Sequence, residues 1–286
     1  MATAISLINM KGGVGKTTLA SQLAFVSART GFRTLMVDLD PQSNLSQIML
    51  GPESYVKHID SKRPTIVQIF DGDIQADAGA HAPLLADMCD FIVPRSGYWP
   101  YAPLDLIPSR LELSRTLKNP AGKERRLAEA LAQVHDRYEV VIIDCAPTES
   151  ILTDAAYFAS RFVVAPVKPE FMAAVGLPLL ARSLQEFRLE NRGQLVELAG
   201  LVFNHSSQYS AGPEGRQSMR EIEEEARRQN WPIFKTQLRY SACYPRAARE
   251  GVPLAAASYA RGAVADEFRQ FACEVFERVG LVRRCT

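Results

Sequence analysis

Pairable cysteines, long apolar runs and net charge are what this sequence has least of. Its five cysteines (Cys89, Cys145, Cys243, Cys273, Cys285) are spread over 286 residues with no CxxC pair. That excludes a disulfide framework and a simple zinc knuckle, and it fits a reducing, cytoplasmic setting. No stretch approaches the roughly 18 uncharged apolar residues that a membrane-spanning helix needs, so no membrane span is expected. The opening MATAISLINM lacks a basic n-region and a small-residue cleavage site, so no secretory signal is expected either. Lys+Arg 33 against Asp+Glu 32 leaves +1; a nucleic-acid site would have to be a local patch. With 47% hydrophobic and 23% charged residues, the chain reads as globular rather than disordered.

What is present is alternation. Short β-branched runs alternate with longer helical patterns, the signature of an α/β fold: a mostly parallel twisted sheet with helices on both faces. Strands are expected over 4–9, 33–39, 104–108, 139–144, 162–167, 198–204 and 233–238. Helices are expected over 16–29, 123–136, 148–159, 177–190 and 213–229. The run Val140–Asp144 is apolar on both faces, as a central strand is. There is no solenoid repeat, low-complexity tract or long linker, so one domain is expected over 1–286. The 71–103 segment, punctuated by Gly, Pro and Asp, gives no clear pattern. Its aromatics Phe91, Tyr98, Trp99 and Tyr101 are expected to form a small satellite core. A last helix over 262–279 puts Val264, Phe268, Phe271, Val275 and Val279 on one stripe. Asp266, Glu267, Glu274 and Glu277 would repel anionic lipid, so the stripe is expected to pack on the sheet rather than on a membrane.

Residues 10–18 read Met-Lys-Gly-Gly-Val-Gly-Lys-Thr-Thr, between a strand pattern and a helix pattern. Glycines let the backbone turn tightly and aim successive N–H groups inward, so a phosphate chain can rest on Gly12, Gly13, Val14, Gly15 and the helix start. Lys16 would supply a cation to the β/γ-phosphates, and the Thr17 hydroxyl, followed by Thr18, is placed to hold Mg²⁺. Met10 stands where the usual motif has its first glycine, with Lys11 next. Asp38 and Asp40 close the second strand in VDLDPQSN, and Asp144 closes VVIID. Ligands of open parallel sheets bind outside the carboxyl ends of the strands, where these acids fall. Asp144 is the natural Mg²⁺ carboxylate. Asp38 reads equally well as a turn or cap residue. Cys145, beside Asp144, has no second cysteine suited to an iron–sulfur site.

Together, KGGVGKTT (Lys11–Thr18), VDLDPQSN (Val37–Asn44) and VVIIDCAP (Val140–Pro147) resemble the deviant Walker P-loop ATPases of the ParA/MinD family. The resemblance is closest to the ParA (Soj-like) partition branch and runs from Ile5 to the last helix. It implies ATP and Mg²⁺ as cofactors and an ATP-sandwich homodimer, with Lys11 reaching the partner's phosphates. Lys16 would bind phosphate, Thr17 would ligate Mg²⁺, and Asp40 would position the attacking water. Asn204 and 238–240 would face adenine, although Arg239-Tyr240 replaces the usual Pro-Arg. The loop starts at Lys11, so no N-terminal operator-reading domain is expected, and RRCT is no MinD-type basic tail. The resemblance further implies a cytoplasmic, nucleoid-associated protein that binds DNA without sequence preference. A ParB-type adaptor would stimulate it to position or segregate a cargo, with no membrane partner. The alternative is a MinD-like membrane-cycling ATPase. An amidoligase or metallocluster carrier would need a substrate pocket or cysteine ligands that the sequence does not display.

From Ala226 to Arg249 there are basic residues and no acid, with Trp231, Phe234, Tyr240 and Tyr244 interleaved. Such a stretch can neutralise DNA phosphates. The partition branch's usual arginine falls at Cys243, so the DNA contacts are expected at Arg239, Arg246 and Arg249. If Ser241 caps a short helix with Pro245 in its first turn, Arg246 and Arg249 share a face.

Overall fold

The computed structural model describes residues 2–71, 88–95, 102–170, 173–206 and 213–283. Its strands are β1 (Thr3–Leu7), β2 (Thr34–Leu39), β3 (Val93–Pro94), β4 (Leu104–Ile107), β5 (Val140–Cys145), β6 (Phe162–Val167), β7 (Glu197–Ser206) and β8 (Leu238–Arg239). They form one sheet in the order β3-β4-β2-β5-β1-β6-β7-β8. Every pairing is parallel except that of β3 with β4. The chain runs from β1 to β2 on one side and later builds β6 to β8 on the other, so the strand order reverses beside β1. In open α/β sheets a crevice forms at that point, outside the carboxyl ends of the strands.

β5 shows why the sheet carries two cores. Val140 and Ile142 enter one apolar layer, and Val141, Ile143 and Cys145 enter the other. Period-two alternation of wholly apolar residues gives a strand buried on both faces. One layer is covered by α1 (Lys16–Arg29), α10 (Cys243–Glu250) and α11 (Gly262–Arg278). The other is covered by α4 (Ile66–Asp71), α6 (Arg126–Ala132), α7 (Ile151–Ala159), α8 (Ala173–Glu190) and α9 (Pro213–Arg228). The stripe of α11 is buried as expected: Val264, Phe268, Phe271, Val275 and Val279 all lie in the first layer, which leaves none of them for a lipid surface. No helix among the described residues is long and apolar enough to cross a membrane.

Three departures from the sequence reading have local causes. The strand expected over 233–238 is not continuous. Ile233 makes an isolated bridge to Leu201, and pairing resumes only at β8, because the N–H groups of Lys235 and Thr236 donate to Glu274 instead. The helix expected over 123–136 shrinks to α6, which tightens at its end into i→i−3 bonds from Gln133 and Val134. Between β2 and the segment before β3 lie α2 (Asn44–Leu50), α3 (Pro52–Asp60) and α4, which were not expected. At seven, nine and six residues they are too short to display a helical period. Of the aromatics expected as a satellite core, Phe91 is buried, and Tyr98, Trp99 and Tyr101 lie outside the described residues.

Candidate nucleotide site

The segment after β1 is folded by its glycines. Gly13 at φ 74° and Gly15 at φ 95° occupy left-handed backbone, a region that costs an L-residue energy. Gly15 precedes α1, whose first N–H groups have no partner within the helix and face outward. A Cβ at Gly12 or Gly13 would meet nothing within 4 Å, so the backbone there borders open space that a ligand can approach closely. That space is a cavity of about 470 Å³ lined by Gly12, Gly13, Gly15, Lys16, Thr17, Thr18, Asp40, Asn204, His205, Tyr240, Tyr244 and Pro245 among others.

The structure thus brings together most of the expected residues, with distinctions. Lys16 is buried, its ammonium donating to the carbonyls of Asn9 at 3.0 Å and Lys11 at 3.1 Å. Burial pulls its pKa down, against the opposing pull of Asp144 and Asp40. Val14 lends only its backbone: the side chain is in the interior, and its carbonyl accepts Asn204 Nδ2–H at 2.7 Å. Lys11 is not in the cavity lining. Its ammonium pairs with Glu170 at 2.8 Å, and Lys168 contacts the same carboxylate. The two lysines hold Glu170 below the usual carboxylate range. Asn204 lines the cavity while bracing the loop, and Tyr240 lines it too, its ring edge-on to His205 at 5.5 Å.

Beneath the loop lie two fully buried carboxylates, Asp38 and Asp144, at paired positions of β2 and β5. Asp38 accepts bonds from the Ser46 N–H and hydroxyl and from the Asp40 N–H. Burial nevertheless pushes its pKa up to about 7. Asp144 differs: among the described residues neither oxygen meets a donor at normal hydrogen-bond geometry, although the Thr17 hydroxyl faces it. Burial first, then the Asp38 charge, pushes its carboxyl well above the usual range, while the Thr17 hydroxyl and the Lys16 ammonium pull the other way. An orphaned buried carboxylate is costly unless something cationic completes it. Set beside Thr17 and a phosphate cradle, it fits a hard divalent cation that keeps oxygen ligands. Cys145 is buried and its thiol pushed far up, so it stays protonated and inert.

The residues that sequence reasoning missed are polar groups at strand ends. Asn9 donates to the Pro166 carbonyl at 2.8 Å and accepts the Lys11 N–H at 2.8 Å, tying the loop to β6. Its signal was there: one amide closing an apolar strand. Glu170 and Ser109 carry no such mark.

The expected DNA residues lie outside the cavity. Arg246 and Arg249 are exposed, three residues apart on α10. The Arg246 guanidinium sits over the Tyr259 ring at 4.9 Å. Arg239 differs from them: its guanidinium pairs at 2.8 Å with Glu267 of α11, a pair it would have to exchange to meet a phosphate. The stretch is acid-free only along the chain, since Glu225 meets Arg228 from α9. Ser241 does not cap α10; Ala242 holds that place, and Ser241 Oγ accepts the Cys243 N–H at 3.2 Å.

A glycine-rich turn between a central parallel strand and a helix, ending Lys-Thr at the strand-order reversal, defines a P-loop nucleotide-binding protein. Residues 2–196 match the family model described as an AAA domain. The chain is 35% identical to the chromosome-partitioning ATPase Soj of Thermus thermophilus over 69% of this chain and 68% of that one. Two solved structures share the fold at low identity. The ATP complex of a variant of Cyanothece McdA superposes with a TM-score of 0.78 at 20% identity, covering 99% of this chain and 98% of that one. The cell division ATPase MinD of Pyrococcus furiosus superposes with 0.68 at 19%, covering 97% and 99%. The chain belongs to the ParA/MinD family of P-loop ATPases.

Proposed function

We propose that this chain is a Mg²⁺-dependent ATPase that forms a sandwich homodimer on ATP and binds DNA without sequence preference as the dimer. A ParB-type adaptor, by stimulating hydrolysis, then releases it, so that a plasmid, a chromosome origin or a protein assembly is positioned. The setting is cytoplasmic and nucleoid-associated. The observation that carries the nucleotide half is the orphaned Asp144 beneath a cradle of open backbone N–H groups, with Lys16 and Thr17 between them. Lys16 would leave its two backbone carbonyls for the β/γ-phosphates; Thr17 and Asp144 would hold Mg²⁺, which would supply neutralisation of charge on the phosphates. Asp40, at the cavity wall, orients the attacking water. Lys11 exchanges Glu170 for the partner protomer's phosphate.

The DNA half rests on Arg246 and Arg249, exposed on one face of α10. A monomer then offers two phosphate contacts and a dimer four, because a two-fold interface repeats each contact. Four contacts give a salt slope of about −3.6 on logarithmic axes. Backbone contacts leave affinity indifferent to sequence. ATP thereby controls DNA affinity through the dimer and not through the DNA site. The test is fluorescence anisotropy of a random duplex over a salt series, with ATP and with ADP. Wild type should bind tightly only with ATP, and the Arg246→Ala/Arg249→Ala variant should lose most of the slope while keeping ATP binding. Equal binding with ATP and ADP, or a double variant like wild type, refutes this assignment. Recruitment to anionic vesicles by ATP in place of DNA would favour the membrane-cycling alternative.

A further inference from the structure

The backbone of Asp40 is held on both sides of its Cα by one closed ring of hydrogen bonds. Its N–H donates to Asp38 Oδ1 at 3.2 Å, and its carbonyl accepts the Ser109 hydroxyl at 2.8 Å. The Ser109 N–H in turn donates to Ser46 Oγ at 2.8 Å, and the Ser46 hydroxyl donates to Asp38 Oδ2 at 2.6 Å. Asp38, Ser46 and Ser109 are completely buried, so none of these groups can exchange its partner for water. Each hydroxyl spends its single proton within the ring, on Asp38 or on the Asp40 carbonyl, which gives every bond one direction. The ring spans three elements: the end of β2, the first turn of α2, and the segment that leaves β4. It sits at the carboxyl ends of β2 and β4, which are registered Val37 to Ile107.

The carboxylate of Asp40 reaches the cavity wall while one of its oxygens accepts only the nearby Gln42 N–H at 2.9 Å. Among the described residues, no side chain of another element fixes it through a bond to that oxygen. Its aim therefore depends on the two peptide planes that flank its Cα: Asp38 holds the N–H of the first, and the carbonyl of the second accepts the Ser43 N–H at 2.9 Å and, from another element, the Ser109 hydroxyl. Displacing a reacting group by about 1 Å can cost on the order of 100-fold in rate.

We propose that Ser109 is a positioning residue for hydrolysis that acts through Asp40; the inference rests on the reading of Asp40 as the group that orients water. It touches neither nucleotide nor water. Ser109→Ala removes the bond to the Asp40 carbonyl and keeps the Ser109 N–H bond to Ser46. The cavity lining from Gly12 to Thr18 is untouched, so ATP binds as before while the water is aimed less well.

The experiment measures steady-state ATP hydrolysis and ATP affinity for wild type, Ser109→Ala, Asp40→Ala and the double variant. Ser109→Ala should lower kcat about 5- to 20-fold with ATP affinity within about twofold, less than the full cost of a 1 Å displacement. In the Asp40→Ala background the same substitution should change kcat by less than about twofold, because a residue acting through another is silent once that other is gone. Wild-type kcat in Ser109→Ala, or an equal loss with and without Asp40, overturns the inference. Wild-type turnover in Asp40→Ala overturns the reading of Asp40 instead, and the two failures are distinct. Ser109→Cys fills the same space with a weaker donor and guards against misfolding of the alanine variant. Its kcat should fall between those of wild type and alanine, and an unchanged kcat there also overturns the inference.

Discussion

Gly15→Ala separates backbone strain from crowding. Gly15 has φ +95°, and a Cβ there would lie 2.3 Å from Asn204 Nδ2 and 3.3 Å from Leu19 Cδ1. Two costs follow. Holding an L-residue in that backbone region costs about 1–3 kcal/mol. Clearing 2.3 Å also requires Asn204 to move, which breaks its 2.7 Å bond to the Val14 carbonyl at a cost of about 1–2 kcal/mol for a group left buried. The sum is about 3 kcal/mol, or a fall in Tm of roughly 6–12 °C for a chain of this size. The second cost depends on Asn204 and the first does not. In an Asn204→Ala background, where the obstructing amide is gone, Gly15→Ala should cost about 1–2 kcal/mol less than in wild type. Gly51 provides the control: φ is +78° and nothing lies within 4 Å of its Cβ, so Gly51→Ala should bear the backbone cost alone and show no coupling to Asn204. Urea unfolding followed by circular dichroism on the single and double variants reads all of this. Strict additivity of Gly15→Ala and Asn204→Ala would refute the reasoning.

Two further outcomes are expected. Asp144→Asn should melt higher than wild type at pH 7.5 without nucleotide or Mg²⁺, because the folded state raises this carboxyl's pKa; its contribution to stability is complete below the ordinary carboxylate range and is lost as pH rises. The gap should therefore close toward pH 4 in a thermal-shift series, MgATP should stabilise wild type but not the variant, and a variant that melts no higher at pH 7.5 would contradict the burial argument. Lys16→Ala should lose ATP binding, whereas Lys11→Ala should keep it and lose ATP-dependent dimerisation; nucleotide titration and light scattering with a slowly hydrolysed analogue distinguish them, and an ATP-dependent dimer from Lys11→Ala would refute its cross-protomer role.

What could be read in advance was whatever a local pattern determines. Val140–Asp144 announced a central strand because each residue had an apolar face to fill, and the glycines before Lys16 announced a turn because few other residues tolerate that backbone. α2, α3 and α4 escaped because two turns of helix do not establish a period. The break between Ile233 and Leu238 escaped because its cause is Glu274, nearly forty residues onward. The same holds for the pairs Lys11–Glu170 and Arg239–Glu267: the sequence displays the cations, and only the fold supplies their carboxylates. A stretch that looks free of acid along the chain can be neutralised in space, as Arg239 is.

The two borders of the sheet have a consequence for the company this protein keeps. On one side β3 is two residues long and ends at Pro94, which has no N–H to give. On the other, the N–H groups of Lys235, Thr236 and Arg239 are already spent on Glu274 and Glu267, two carboxylates two turns apart on α11. Among the described residues, a foreign strand arriving at either margin finds few N–H groups left to bond, which is one way natural sheets avoid growing from copy to copy. Crowded copies are thus denied the easiest route to fibres.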